Sequence, residues 1–496
     1  MTLTLLHDAM ILTLDPANPQ IEHGYVLVRG SRIETVAAGE CRGAEVPDRR
    51  IDCSNKLIAP GLINSHTHSQ SSTMAGFGDR LNHPSFMWLT QAHTSRRTPD
   101  EIRLSVLLTA YGLLSCGTTG AIDHFPGQRF TLADMNAVLS AWSETGMRIA
   151  LGMRFFDGPF SDIFPSVPLP NDLKSRMSSV EILKPQPTEE LSGLMEATIK
   201  AWHGKPRLSV YPAPSNPERC TDRALQICAE LAQRYDTGIH THLLETKKQA
   251  DLAQARLGKT VVAHLEELGV LSDRWSCAHS IWLTDDDIGI MASCGATAVL
   301  NPESNDRLGT GVARAPEMLR RGVRLAIGTD GSSANDNLVL HETMRTVAMA
   351  HRTREPDRSR WITTGDVLHM ATAGGAGALR NDKLGRVAPG FAADLAVYGL
   401  DAPWWVPVND VVNQMVFAET GASVETAKEV KIFNLHRFLI DRYRTLADKF
   451  TTGLKQTVVV ENRPGASNTI AAGLTARADP ADRAPDRDRS RIGPGA

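Results

Sequence analysis

Between Leu57 and Asp330 eight short apolar runs alternate with longer amphipathic stretches, and this alternation restricts the fold more than any other feature of the chain. The runs are Leu57–His68, Thr118–Asp123, Arg148–Phe155, Arg207–Pro214, Gly238–Glu245, Trp275–Leu283, Ala296–Ser304 and Arg324–Asp330. A strand covered on both faces is apolar along its length, and a parallel neighbour requires a crossover helix, so the pattern predicts βα repeats around a parallel sheet. Eight repeats are the number that closes a barrel. Helix starts fall where they should: Thr98-Pro99-Asp100-Glu101 and Thr284-Asp285-Asp286-Asp287 each put a capping Thr before acidic residues. The expected fold class is α/β, a (β/α)8 TIM-like barrel over residues 57–384.

The flanks have another texture. Residues 1–56 show short β-like alternation with turns, as in Ala9–Leu14 and Gly24–Ile33, and residues 385–426 return to it. Both ends together are expected to build a small composite β-sandwich domain. From 427 to 496 the pattern changes again, and the Arg/Asp/Pro-rich run 477–496 has too little apolar surface to bury, so this tail is expected to be partly disordered.

Charge and length exclude some functions. The 53 Lys+Arg against 56 Asp+Glu give a formal charge of -3, which argues against nucleic-acid or membrane-surface partners. No stretch has the apolar length of a membrane span. Seven cysteines without a Cys-x-x-Cys pair read as reduced thiols, and the N-terminus lacks a cationic signal region, so a cytoplasmic location is expected. The small-residue run Ala371–Ala378 lacks the Gly-x-Gly-x-x-Gly order of a phosphate loop and reads as close helix packing.

The first apolar run ends in His66-Thr67-His68, and residues i and i+2 of a strand face one side, so the two imidazoles project together. In a (β/α)8 barrel chemistry sits at the C-terminal strand ends. There the fifth run carries His240, His242 and Glu245, the sixth ends near His279, and the eighth ends at Asp330. Any one of these has an ordinary structural explanation. Jointly, His66, His68, His242, His279 and Asp330 make a hard, N/O-rich set suited to Zn²⁺ or Fe²⁺. His240 and His242 share a strand face, and the strand period leaves the choice between them open.

The segments Pro60–His68, His242–Thr246, Cys277–Ser280, Asn301–Gly311 and Gly328–Ser332 occur in an order and spacing that resemble the amidohydrolase superfamily, in its branch of aminated-heterocycle deaminases and triazine hydrolases. The similarity covers residues 1 to about 426. It implies one metal ion, Zn²⁺ or alternatively Fe²⁺, held by His66, His68, His242 and Asp330, with His242 selected over His240 because the family's ligand stands three residues before a glutamate. It implies catalytic roles for Glu245, His279 and Asp330; Gln70, Trp88, Arg154, Asn301 and Asn305, near strand ends or in the long loop after the first strand, are candidate substrate contacts by position. Binuclear members carry a bridging lysine at the end of strand 4, where this chain has Ser209-Val210-Tyr211-Pro212. The tail around Leu446–Lys449 and Gln456–Ala466 resembles a fragment of a tricarboxylate-type periplasmic solute receptor.

The resemblance implies hydrolytic deamination of a small aminated N-heterocycle, a purine, pterin, pyrimidine or triazine-like ring, with release of ammonia. Alternatives are a hydrolase displacing halide or alkylamine from a triazine-like ring, and a catalytically silent metal-binding barrel. Members acting on adenosine-type nucleosides carry an acidic residue after the strand-1 Trp-Leu pair; here the chain reads Trp88-Leu89-Thr90-Gln91-Ala92-His93, which favours a free ring over a ribosyl substrate. A homo-oligomer is expected from the same resemblance.

Overall fold

The structure, a computed structural model, describes residues 1–419 apart from 44, 96, 126–128, 160–169 and 180–183, together with 458–461 and 473–476. Strands β1 (Leu3–Leu12), β2 (Gln20–Arg29) and β3 (Arg32–Ala38) form an antiparallel meander, and β4 (Arg49–Asp52) and β5 (Lys56–Pro60) lie parallel to β1. Alternation along β2 buries Ile21, Val26 and Val28 while Glu22 and His23 stay exposed. Residues from beyond the barrel complete this sheet, because Leu395–Gly399 pairs antiparallel with β5, Leu395 opposite Pro60 and Gly399 opposite Lys56. The β unit is therefore composite, and among the described residues it is one six-stranded sheet.

The first apolar run contributes to both sheets. Gly61 divides it: Lys56–Pro60 ends in the composite sheet, and β6 (Leu62–Thr67) begins the barrel. The Gly61 N–H donates to the carbonyl of Asp394, 2.9 Å away, and a Cβ at this position would lie 2.0 Å from Thr119 Oγ1. The chain thus changes sheets at the one residue without a side chain to displace.

The barrel strands are β6, β7 (Thr118–Phe125), β8 (Arg148–Phe155), β9 (Leu208–Pro214), β10 (Ile239–Leu243), β11 (Trp275–His279), β12 (Thr297–Leu300) and β13 (Arg324–Ile327). β6 to β9 form one parallel four-stranded sheet and β10 to β13 another. Two backbone hydrogen bonds bridge the seams, His242 N–H to Ser215 C=O at 3.1 Å and Asp330 N–H to His66 C=O at 3.0 Å. Both seams therefore close beside histidines and an aspartate at the C-terminal rim. Lower in the barrel Ile63, Ile122, Ala150, Tyr211, Val299 and Ala326 fill the interior with Ala376 and Leu379 from below. The run Ala371–Ala378 packs closely: Cβ atoms at Gly374 and Gly375 would lie 2.3 Å from Leu325 O and 2.7 Å from Ile63 Cβ.

Outer helices start as their sequences dictate, with capping boxes at Thr98/Glu101 and Thr284/Asp287. The seventh run is shorter than its apolar length, because Pro302 opens a helix over Pro302–Leu308 and leaves Asn301 as its cap residue. Compact units cover Met1–Val430 and Lys431–Ala496. In the second, Val458–Glu461 pairs antiparallel with Gly473–Ala476. The run 477–496, expected to be disordered, lies outside the described residues, as does most of the segment compared with a solute receptor. Among the described residues no helix is long and apolar enough to cross a membrane.

Candidate active site

The rim gathers six imidazoles. His68 Nδ1 is 2.7 Å from the carbonyl of His124, and His242 Nδ1 is 2.8 Å from the carbonyl of Ser215. A carbonyl only accepts, so each Nδ1 carries the proton and each neutral ring turns a lone pair outward from Nε2. Those two Nε2 atoms are 3.2 Å apart, too near for two lone pairs without an electrophile between them. His66 Nε2 is buried with no hydrogen-bond partner among the described residues, and Asp330 Oδ1 lies 3.7 Å from it and 3.3 Å from His68 Nε2. The donor set and its orphaned nitrogen fit a divalent metal ion. Candidate ligand atoms within 4.8 Å of one another occur as His66, His68, His124 and His242, and as His66, His279 and Asp330.

Each group is held from behind. His66 Nδ1 sits 2.8 Å from His240 Nε2, whose Nδ1 is 2.7 Å from Ser276 Oγ; that hydroxyl donates to the Ile239 carbonyl at 3.2 Å. His240 thus stands behind His66, deeper in the barrel. Asp330 accepts from Ser304 Oγ at 2.6 Å and from the Gly331 N–H at 2.7 Å. His279 Nδ1 donates to Asn305 Oδ1 at 2.8 Å, and its Nε2 is buried without a hydrogen-bond partner among the described residues, 3.9 Å from Glu245 Oε2. Asp123, buried among Ser69 N–H, Ser69 Oγ and Trp142 Nε1, ties the turn after β6 to the end of β7.

The backbone is strained at the same place. Leu244, His279, Ser280 and Asp330 have φ of 48°, 71°, 50° and 60°, in the left-handed region that side chains other than glycine rarely occupy. Such conformations persist where the surroundings over-determine them, commonly at functional sites.

Burial sets the protonation. It drives the His66, His124 and His242 imidazoles well below their usual range, with neighbouring imidazoles adding, and holds His68 down to about 4 despite Asp330. Neutral imidazole is the form that binds metal. Burial opposes the charge of Glu245, but His279 and His83 outweigh it and hold that carboxyl down to about 2. Arg154 is 5% exposed, donates from Nε to Ser215 Oγ at 3.0 Å, and is brought down to about 10 by burial and by Arg219.

A cavity of about 30 Å³ at the imidazole cluster, lined by Gln70, His68, His279 and Asp330 among others, adjoins one of about 380 Å³. Met87, Arg154, His242 and Glu245 line both. Gln70 and Arg154 therefore face the cavities. Trp88 does not: it is 39% exposed, and Phe86, Met87 and Thr90 of helix α1 (His83–Thr94) line them instead, because the helix turns its other face inward. Asn301 and Asn305 also stand apart from both cavities. Asn301 Nδ2 donates to the Val299 carbonyl at 3.3 Å, and Asn305 holds His279. Two residues without a part in the sequence reading do line the larger cavity, His83 and Glu218. The signal for both was position alone: His83 opens α1 behind the Asn82 cap, and Glu218 follows β9 in a rim loop.

Comparison with known proteins agrees with this architecture. Residues 57–428 match the amidohydrolase family. A 5-methylthioadenosine/S-adenosylhomocysteine deaminase of Nitratidesulfovibrio vulgaris (Miyazaki F) is 33% identical over 85% of this chain and 89% of its own. A 5'-deoxyadenosine deaminase of Methanosarcina mazei is 28% identical over 85% and 90%. Among solved structures, a zinc-bound adenosine deaminase from Xanthomonas campestris superposes with a TM-score of 0.75 at 24% identity, covering 89% of this chain and 98% of that one. A zinc complex of an atrazine chlorohydrolase from Arthrobacter aurescens TC1 gives 0.74 at 24% identity, over 88% and 100%. At these identities the two structures speak for the shared barrel fold.

Proposed function

The chain belongs to the amidohydrolase family, and we propose that it is a metal-dependent hydrolase that deaminates an aminated N-heterocycle, a purine, pterin, pyrimidine or triazine-like ring, with release of ammonia. The observation that carries this reading is the placement of Glu245 Oε2 3.9 Å from His279 Nε2, beside converging imidazoles and at the mouth shared by both cavities. The names of the relatives, all deaminases of adenosine derivatives, support an amine on a purine-type ring.

In this reading His66, His68, His242 and Asp330 would hold one divalent ion, Zn²⁺ first and Fe²⁺ second, consistent with a strand-4 end that reads Ser209-Val210-Tyr211-Pro212 and supplies no lysine. When bound, such an ion would act as a Lewis acid and lower the pKa of water at the site to about 7. Asp330 accepts a proton from the attacking water, and Ser304 and Gly331 fix the orientation in which it does so. His279, fixed by its Nδ1–H on Asn305, orients the nucleophile through Nε2. Glu245, once it has taken up a proton, passes it to the ring nitrogen beside the attacked carbon, which makes that carbon electrophilic; the proton that Asp330 took from water then returns through Asp330 or Glu245 to the departing amine, which leaves as ammonia. Arg154 places a buried positive charge beside Glu245 and Asp330. Purified protein assayed for ammonia with purines, pterins, pyrimidines and aminotriazines should release it from at least one ring. Release from none, in protein carrying metal, would overturn the proposal.

A further inference from the structure

The larger cavity contains a carboxylate that the deamination chemistry leaves unused. Glu218 is 4% exposed, and neither of its carboxylate oxygens has a hydrogen-bond partner on another of the described residues. It is not loosely placed. The 3-10 turn Pro217–Arg219 carries it, with Arg219 N–H donating to the Asn216 carbonyl at 3.0 Å and Cys220 N–H to the Pro217 carbonyl at 3.0 Å. The Glu218 carbonyl accepts from Arg256 Nη1 at 3.3 Å, and the adjacent Arg219 guanidinium stacks 3.9 Å over the Phe156 ring. Its turn is thus fixed on both sides while the carboxylate stays unbonded at the cavity wall.

A buried acceptor without a donor is costly, and such a group is retained where something else supplies the donor. In the same cavity Glu245 and Arg154 mark the end near the imidazole cluster. We propose that Glu218 is a specificity-determining residue that accepts hydrogen bonds from a pair of adjacent donors on the part of the substrate remote from the leaving amine. Two sources present that chemistry, the vicinal diol of a ribosyl group and the N–H/NH₂ edge of a free heterocyclic base. The inference rests on the deaminase reading of this cavity. It also changes what the loop after β6 implies: with no acid after Trp88-Leu89, a ribosyl diol finds its carboxylate in the loop after β9. Burial pushes the Glu218 carboxyl up to about 7, with Glu245 adding and its own backbone N–H, Arg219 and Arg256 opposing, so a bound donor pair also favours its ionised form.

The test compares the metal-loaded wild-type protein with Glu218→Gln and Glu218→Ala on two substrate pairs, adenosine against its dideoxy analogue and 6,8-diaminopurine, whose 8-amino group adjoins a ring N–H, against adenine. Loss of a charge-assisted hydrogen bond predicts a fall of about 10- to 100-fold in kcat/KM, carried mainly by KM, on the donor-bearing member of one pair. Its donor-poor partner should change less than about threefold. A selective loss on adenosine assigns the diol, and one on diaminopurine assigns the base edge. Equal effects within both pairs, or no effect in either, overturn the proposal. Dissociation constants for the same four compounds, read from quenching of the cavity tryptophan Trp282, keep the two readings separable. Absence of ammonia with wild type defeats the deaminase reading alone, whereas binding that fails to distinguish the members of either pair, including no binding at all, defeats the role of Glu218.

Discussion

His83 Nε2 lies 3.1 Å from Glu245 Oε2, so the helix that opens after the first barrel strand holds the carboxylate that follows the fifth. The contact is largely shielded from solvent, with side-chain exposures of 13% and 7%. Both residues line the larger cavity, and the carboxylate is thereby oriented before substrate enters.

Replacing His83 by Ala removes a hydrogen-bond donor that helps to hold Glu245 down, which raises the Glu245 pKa from its depressed value. The limb of the kcat/KM profile that Glu245 governs should therefore move to higher pH, and kcat should fall about tenfold through lost orientation. Steady-state kinetics between pH 4 and 8 read both effects. A profile identical to that of the wild-type protein would make the His83 contact incidental.

The metal content gives a second expectation. Elemental analysis of purified protein should find one divalent ion per chain, and His68→Ala should lose it. His240→Ala should keep it with affinity weakened about 10- to 100-fold, since it removes only the partner of His66 Nδ1. If His240→Ala empties the protein while His242→Ala stays loaded, the strand-5 assignment is reversed.

Much of this site is legible in the chain because strands repeat every two residues. His66 and His68 share a face whatever surrounds them, and Asp330 follows an apolar run whose end must lie at the barrel rim. The split of the first run was not legible, since Gly61 turns there only because Thr119 and Asp394 approach it from distant segments. Loop residues were harder still. Trp88 and Met87 are neighbours in sequence, and which of them faces the cavity depends on how α1 is rotated against the rim. Asn305 has the chemistry of a substrate contact, but its amide oxygen is taken by His279. His83 and Glu218 have no distinguishing local pattern, and their interest comes from what lies near them in space.

Glu218 also predicts a pH dependence of stability. Its carboxyl is raised in the folded protein from 4.5 to about 7, so the folded state binds the proton more tightly than the unfolded state. Stability is then greatest, with respect to this group, below about pH 4.5 and is lost as pH rises through 7, by about 3 kcal/mol at the upper end. Glu218→Gln cannot ionise and should remove this loss. Urea unfolding at pH 5 and pH 8 should show the variant gaining on wild type at the higher pH. A difference between the two proteins that does not change with pH would mean that the Glu218 carboxylate is solvated in its cavity.

The two hydrolytic chemistries separate at Glu245→Gln, which keeps size and hydrogen bonding but removes the transferable proton. An amine leaves poorly unless protonated, whereas chloride departs as the anion. With an amino-substituted ring the variant should lose most of its turnover, on the order of 10² or more, as expected for loss of a general acid. With the chloro analogue of the same ring the loss should be smaller, because only ring-nitrogen protonation is affected. Matched kcat values for both substrates, measured on wild type and variant at equal metal content, give the comparison directly. Equal losses would confine Glu245 to the ring nitrogen or to positioning, and full deaminase activity in the variant would pass the proton transfers to Asp330, whose carboxylate is held by Ser304 and Gly331 at the opposite seam of the barrel.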